Sequence, residues 1–131
     1  MLDLFIIDAY QKNSQPIETV ISFQGRLSRF FIVSCFEEIN EIEKKEDWYG
    51  VFYDDEVISE ELLFSLELFF AHKGHDVLVA LKKDITGNMI SKSPRFFKKE
   101  LTLKKDCLQP VEECVYETIL DGWIYEYGFD V

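Results

Sequence analysis

The stretch Trp48-Tyr49-Gly50-Val51-Phe52-Tyr53-Asp54-Asp55-Glu56-Val57-Ile58-Ser59, with its continuation to Leu81, decides how this chain folds. Trp48 to Tyr53 is a short aromatic and β-branched run, the composition of a strand. Asp54-Asp55-Glu56 ends it, and Ser59 offers the side-chain oxygen of a helix N-cap. Ile58, Leu62, Leu66 and Phe69 then recur at i, i+4, i+8 and i+11, with Leu63 and Phe70 widening the stripe. That spacing predicts a core-facing helix ending near Lys73-Gly74, where glycine suits the position after the last turn. Asp76-Val77-Leu78-Val79-Ala80-Leu81 is an almost uninterrupted apolar run, as expected of a buried strand. The unit reads strand, helix, strand, and crosses over right-handed if its strands are parallel neighbours.

Working outward, Leu2 to Tyr10 reads as a strand and Asn13-Ser14-Gln15-Pro16 as a turn. Ile17 to Phe23 reads as a second strand, and Gln24-Gly25 as a tight connection. Phe31-Ile32-Val33 favours a strand over 28–36, although Ile32, Cys35/Phe36, Ile39 and Ile42 also recur at helical spacing; a helix is expected over 37–46. Thr86-Gly87-Asn88 and Ser93-Pro94 mark breaks, and Phe97 to Lys104 reads as a half-exposed strand. Pro110 suits the first turn of a helix carrying Val111, Cys114/Val115 and Thr118/Ile119 on one face, up to Asp121-Gly122. Trp123 to Phe129 reads as a last strand with Trp123, Tyr125 and Tyr127 on one side. The economical architecture is α+β, a single mixed β-sheet of six or seven strands with two or three helices packed on it, in one domain spanning residues 1–131.

Charge is the most uneven feature of the chain. The net −11 is concentrated in residues 37–67, where twelve acids face only Lys44 and Lys45. Residues 68–109 reverse the sign with nine bases, and residues 110–131 carry six acids and no base. Phosphate needs a dominant basic surface, so nucleic acid is not the expected partner, and an anionic membrane is disfavoured for the same reason. The basic stretch from Lys92 to Lys99, continued by Lys104-Lys105, reads as a strand whose bases face the acidic elements or water. A cationic protein would be steered efficiently by so acidic a face. The opening residues lack a basic n-region, no apolar stretch approaches the length of a membrane span, and three cysteines suit a reducing compartment. The expectation is a cytoplasmic protein with Cys35, Cys107 and Cys114 as small buried hydrophobes.

No catalytic constellation stands out, and no enzyme activity or cofactor is expected. His72 and His75 are the only histidines, straddling a predicted helix end beside Asp76. A metal there would need a further ligand, and the simpler reading is a polar helix terminus complementing the helix dipole. Neither histidine forms a local signature with a cysteine or serine nucleophile. The six glycines never cluster into a phosphate-cradling loop.

Two resemblances add to these readings. The block Val51-Phe52-Tyr53-Asp54-Asp55-Glu56-Val57 through Leu66-Glu67, followed by Val77 to Lys83, resembles the second half of seven-strand S-adenosylmethionine-dependent protein methyltransferases. There an acidic Tyr-Asp turn follows one strand and precedes a helix and another strand. Residues 1–47 hold no counterpart of that family's glycine-rich cofactor loop or ribose-binding acid. The likeness implies a degenerate domain without a cofactor site, acting as a regulatory or interaction subunit.

In size, acidity, aromatic content and plan, the chain is also similar to bacterial toxin-immunity proteins, including those of contact-dependent growth inhibition systems. That similarity implies a protein that covers and neutralises a basic toxin domain, often a nuclease. It casts Trp48, Tyr49, Asp54, Asp55, Glu56, Glu60 and Glu61 as an acidic contact surface with aromatic anchors. Trp123, Tyr125, Tyr127 and Asp130 form a second candidate surface. Tyr and Trp are the residue types that carry binding energy in typical interfaces.

Overall fold

A computed structural model of the chain describes residues 1–8, 15–84 and 86–126. Seven strands form one mixed sheet in the order β2-β1-β3-β6-β5-β7-β4. In chain order the elements are β1 (Leu2–Ile7), α1 (Gln15–Ser22), β2 (Leu27–Val33), α2 (Phe36–Glu41), β3 (Trp48–Tyr53), β4 (Glu56–Ile58), α3 (Glu60–Ala71), β5 (Val77–Lys83), β6 (Met89–Lys98) and β7 (Tyr116–Glu126). This is the α+β plan expected from the sequence, with three helices among the described residues.

Both faces of the sheet are covered, which explains why β1, β3 and β5 are apolar almost without alternation. One face presents Leu4, Ile6, Phe52, Leu78, Phe96 and Ile124, and receives Leu62, Leu63 and Leu66 of α3 together with Phe23. The other presents Phe5, Tyr49, Val51, Val77 and Phe97, and is closed by Ile39 of α2 and by Leu103. Asp3 lies fully buried in β1 among these apolar groups. Burial alone would raise its pKa, but Arg29 of β2 holds it below the usual range with a two-point bond at 3.1 and 2.9 Å. Its carboxylate also accepts the backbone N–H groups of Lys45 and Glu46. Those bonds explain why α2 stops at Glu41 instead of reaching residue 46: the amides that would extend it are turned to Asp3.

Several other elements differ from expectation. Residues 17–22 of the expected strand at 17–23 belong to a helix, α1, with Phe23 in the turn after it, because β1 and β2 are parallel neighbours and a parallel pair requires a crossover. Gln24 (φ 54°) and Gly25 (φ 79°) make the left-handed turn that follows it. Ser93-Pro94 does not end the strand, since Pro94 lies within β6. It sits at an irregularity opposite Val79, beyond the last β3 pairing at Gly50–Phe96, so β3 claims no N–H from it.

The expected strand at 97–104 ends at Lys98, leaving only an isolated bridge between Leu103 and Pro110. The expected helix after Pro110 is absent. Val111 N–H donates to Thr102 O, Asp76 and Val77 donate to Val115 O, and Val115 N–H donates to the Asp76 carboxylate, so these groups are committed to tertiary partners. The strand-helix-strand unit also differs in its neighbours. β6 lies between β3 and β5, and β4 precedes α3, so the methyltransferase-like order survives in sequence but not as adjacent strands.

Ser59 caps α3 as anticipated, accepting the Leu62 N–H through Oγ at 3.2 Å. The same oxygen accepts the Trp123 N–H at 2.9 Å, which ties the helix start to an irregularity in β7. Gly122 lies there with φ +83°, and an added Cβ would come 2.1 Å from the Leu62 nitrogen. Gly122→Ala therefore combines a left-handed penalty with a backbone clash. We expect a loss of at least about 2 kcal/mol in unfolding free energy by urea denaturation; a smaller loss would show that α3 can move off β7.

Candidate functional site

The acidic segment singled out by charge is an interior element. Asp54, Asp55 and Glu56 are 1%, 2% and 0% exposed. Glu56 opens β4, and its carboxylate turns inward to accept the Tyr53 N–H at 2.7 Å. Arg95 of β6, 1% exposed, clamps it with Nη1 at 2.5 Å and Nη2 at 2.7 Å. Lys82 of β5 reaches the second oxygen at 2.6 Å and bridges to Glu126 of β7 at 3.2 Å. One carboxylate thus joins the β3–β4 turn to β6 and β5, and through Lys82 to β7. Burial would raise the Glu56 pKa, yet Arg95 and Lys82 outweigh it and hold Glu56 below the ordinary range. Lys82 answers in kind: burial lowers its pKa, but Glu56 more than restores it and leaves it raised.

Asp55 is the cost of this arrangement. Its Oδ2 has no hydrogen-bond partner. Burial, reinforced by the charges of Glu56 and Glu126, pushes its pKa to about 6. The aromatic anchors assigned to this segment are interior as well. Trp48, 4% exposed, stacks on Phe70 at 5.0 Å. Tyr49 is fully buried, donates its hydroxyl to Leu101 O at 2.9 Å, and has its phenol pKa raised by burial. Trp48, Tyr49, Asp54, Asp55 and Glu56 are therefore withdrawn as a contact surface. An acidic turn next to a strand looks solvated in sequence, but here the strand's basic neighbours lie across the sheet.

The remaining positions divide. Glu60 and Glu61 are exposed in the first turn of α3. Trp123 and Tyr125 are half-buried and meet edge to face at 6.1 Å, with the Lys83 ammonium 3.2 Å from the Trp123 ring centre. Tyr127 and Asp130 lie outside the described residues. His72 donates through Nδ1 to Leu68 O at 2.6 Å, and the buried His75 donates through Nε2 to Phe69 O at 2.7 Å. Both rings thus satisfy carbonyls at the end of α3, and among the described residues no three His, Cys, Asp or Glu side chains gather as a metal site. Cys35 is exposed and Cys107 and Cys114 are half-buried, so none is the fully buried hydrophobe expected; all three are free thiols.

Charge and motif did not reveal the outer face of α3. Phe64 is 57% and Leu68 66% exposed, one turn apart, among the exposed Glu60, Glu61 and Glu67. Leu120, 71% exposed, and Asp121 lie in the β7 irregularity that abuts the first turn of this helix. Arg26 rests over the Phe64 ring at 5.3 Å and pairs with Glu67 at 3.0 Å, so one rim of the patch is already neutralised. The signal was in the sequence: Leu62-Leu63-Phe64 and Leu66-Glu67-Leu68-Phe69-Phe70 put apolar residues around the whole helix, more than one buried stripe requires. A concavity of about 470 Å³ follows this face to its C-terminal end, between Leu68, His72, Lys73 and Glu117.

No protein-family model matches the chain, and no curated protein is similar to it in sequence. No helix among the described residues is long and apolar enough to cross a membrane.

The ion cluster generates two predictions. Removing one member of a buried pair strands the other charge. Glu56→Gln and Arg95→Met should therefore each cost about 3–5 kcal/mol, whereas the double variant should recover much of the loss. Equal, additive losses in a double-mutant cycle would show that the pair is not coupled. Asp55 behaves differently. Because its folded-state pKa exceeds its ordinary 3.8, the folded protein holds this proton more tightly than the unfolded chain, and stability falls as pH rises from about 4 to 6. Asp55→Asn should remove that decline and add on the order of 2 kcal/mol at pH 7, with little change at pH 4. Unfolding free energies measured across this range check it.

Proposed function

We propose that the chain is an immunity-type binding protein that neutralises a basic protein domain by occlusion, without catalysis, and that it engages its partner through the outer face of α3. The observation that carries this reading is the exposure of Phe64 and Leu68 among Glu60, Glu61 and Glu67. An apolar pair ringed by carboxylates combines the two requirements of such an interface. The Phe64 ring and the branched Leu68 side chain exclude water and limit dissociation. The carboxylates steer a cationic partner and set the association rate. The bacterial cytoplasm, where a toxin domain must be met, is the compartment this reading assigns, and three free thiols suit it. Glu56 contributes indirectly, by joining the strands of the sheet on which α3 rests.

The test is protection. The chain is co-expressed with the basic effector domain encoded beside its gene, and growth is measured with and without the variant Glu60→Lys/Glu61→Lys. The reading predicts that the native chain restores growth. The reversed chain should associate at least about tenfold more slowly at low salt, with a flattened salt dependence. Leu68→Asp should instead speed dissociation. Failure of the native chain to bind or protect, or a gene with no such neighbour, would sink the reading.

A further inference from the structure

The sheet has two edges, and the protein treats them differently. At β4 the edge is closed by α1: Thr19 Oγ1 donates to Glu56 O at 2.6 Å, and Ser22 Oγ accepts the Ile58 N–H at 3.2 Å. Side chains of a helix thus occupy the backbone groups that another strand would seek. At the opposite edge, β2 pairs with β1 alone, and no described residue forms a ladder on its outer side. Exposed edges are usually blunted by charge, proline or brevity. β2 has seven residues, no proline and one charged side chain, Arg29. It also exposes Phe30 and Ile32 at 50% and 53%. Their ladder partners, Leu4 and Ile6, belong to the buried core, so the two residues extend that apolar face to the rim of the sheet.

We infer that β2 is the dimerisation edge of this protein, pairing antiparallel with β2 of a second copy about a two-fold axis at Phe30. Self-complementarity is what selects a second copy. A two-fold axis at Phe30 sets Phe30 against its own symmetry mate and Ser28 against Ile32. Leu27 meets Val33, and Arg29 meets Phe31, a cation over an aromatic ring. Arg29 already lies over its own Phe31 at 4.9 Å and is held there by Asp3. Within β2 no like charges face one another directly, because its one charged side chain, Arg29, meets Phe31; the nearest acids, Glu46 on Ser28 and Glu38 on the Ser34 N–H, lie beside the ladder rather than in it. The resulting contact is isologous and closed, which also removes the edge as a template for open-ended aggregation. Two molecules of this charge repel at long range, so the pairing strengthens as salt screens them. That trend is the reverse of the one expected for capture of a basic partner, and the α3 face is left free.

The experiment is sedimentation velocity on the full chain across protein concentration at low and raised ionic strength, with Phe30→Lys and Ile32→Lys beside it. Both substitutions fall on exposed positions, and circular dichroism confirms that the variants fold. The native chain is expected to form a dimer that tightens at least about fivefold between 20 and 300 mM salt, with each lysine variant weakening it at least about tenfold. Hydrogen exchange should show alternate β2 amides protected in the dimer and open in the variants. Glu60→Lys/Glu61→Lys should leave the dimer intact, which separates this inference from the binding role of α3. A native chain that stays monomeric at about 100 μM in raised salt overturns it. So does a dimer indifferent to both lysines, or an edge that pairs only with a peptide of another protein.

Discussion

The Glu56 carboxylate is the constraint on which the rest of the molecule depends. It is fully buried, yet it meets the Tyr53 N–H, the Arg95 guanidinium and the Lys82 ammonium, so each of its oxygens is satisfied from a different part of the sheet. A charge removed from water is costly unless it is paired and hydrogen-bonded. Any other register of β6 or β5 would leave at least one of these ions stranded. The cluster is weak evidence of high stability and stronger evidence of specificity: it fixes which residues of β3, β4, β5 and β6 lie side by side. Asp3 acts in the same way at the other end, joining Arg29 of β2 to the segment that leads into β3.

These buried pairs change how the charge of the chain should be read. Part of the acidic density in residues 37–67 is spent internally, on Arg95, Lys82 and the backbone. What remains outside divides between α2 with the segment after it, from Glu37 to Asp47, and α3, where Phe64 and Leu68 lie exposed among Glu60, Glu61 and Glu67. Bulk acidity therefore does not single out one outer surface. Acidity beside exposed apolar residues is what sets the outer face of α3 apart, and it is the ground of the proposed binding role, because an interface needs both long-range steering and a desolvated centre. The sheet edges follow a similar logic. Helix α1 satisfies the β4 edge through two hydroxyls, and β2 carries its outward apolar residues to the unpaired rim. Among the described residues, one helix face and one sheet edge thus keep apolar side chains exposed.

How much was legible depended on whether local or distant atoms decided the outcome. The α3 stripe, its Ser59 cap, the Trp48–Tyr53 strand and the apolar run of β5 could be read because periodicity and capping are local. Residues 17–23 look β-branched and strand-like, but a parallel β1–β2 pair demands a crossover, and that demand overrides propensity. The segment after Pro110 has a plausible helical face. Its carbonyls and amides instead bond to Thr102 and Asp76, partners that no window of sequence contains.

The sequence by itself determined the α+β class, the central strand-helix-strand order and the excess of apolar residues around α3, because each follows from the spacing of neighbouring side chains. Only the tertiary structure decided that Trp48, Tyr49 and Asp54 to Glu56 are interior while Phe64 and Leu68 face solvent. Burial is set by what packs across the sheet, and Arg95 lies 39 residues from the carboxylate it holds. The physical reason is that a charge takes its meaning from its neighbours in space, and those are chosen by strand order.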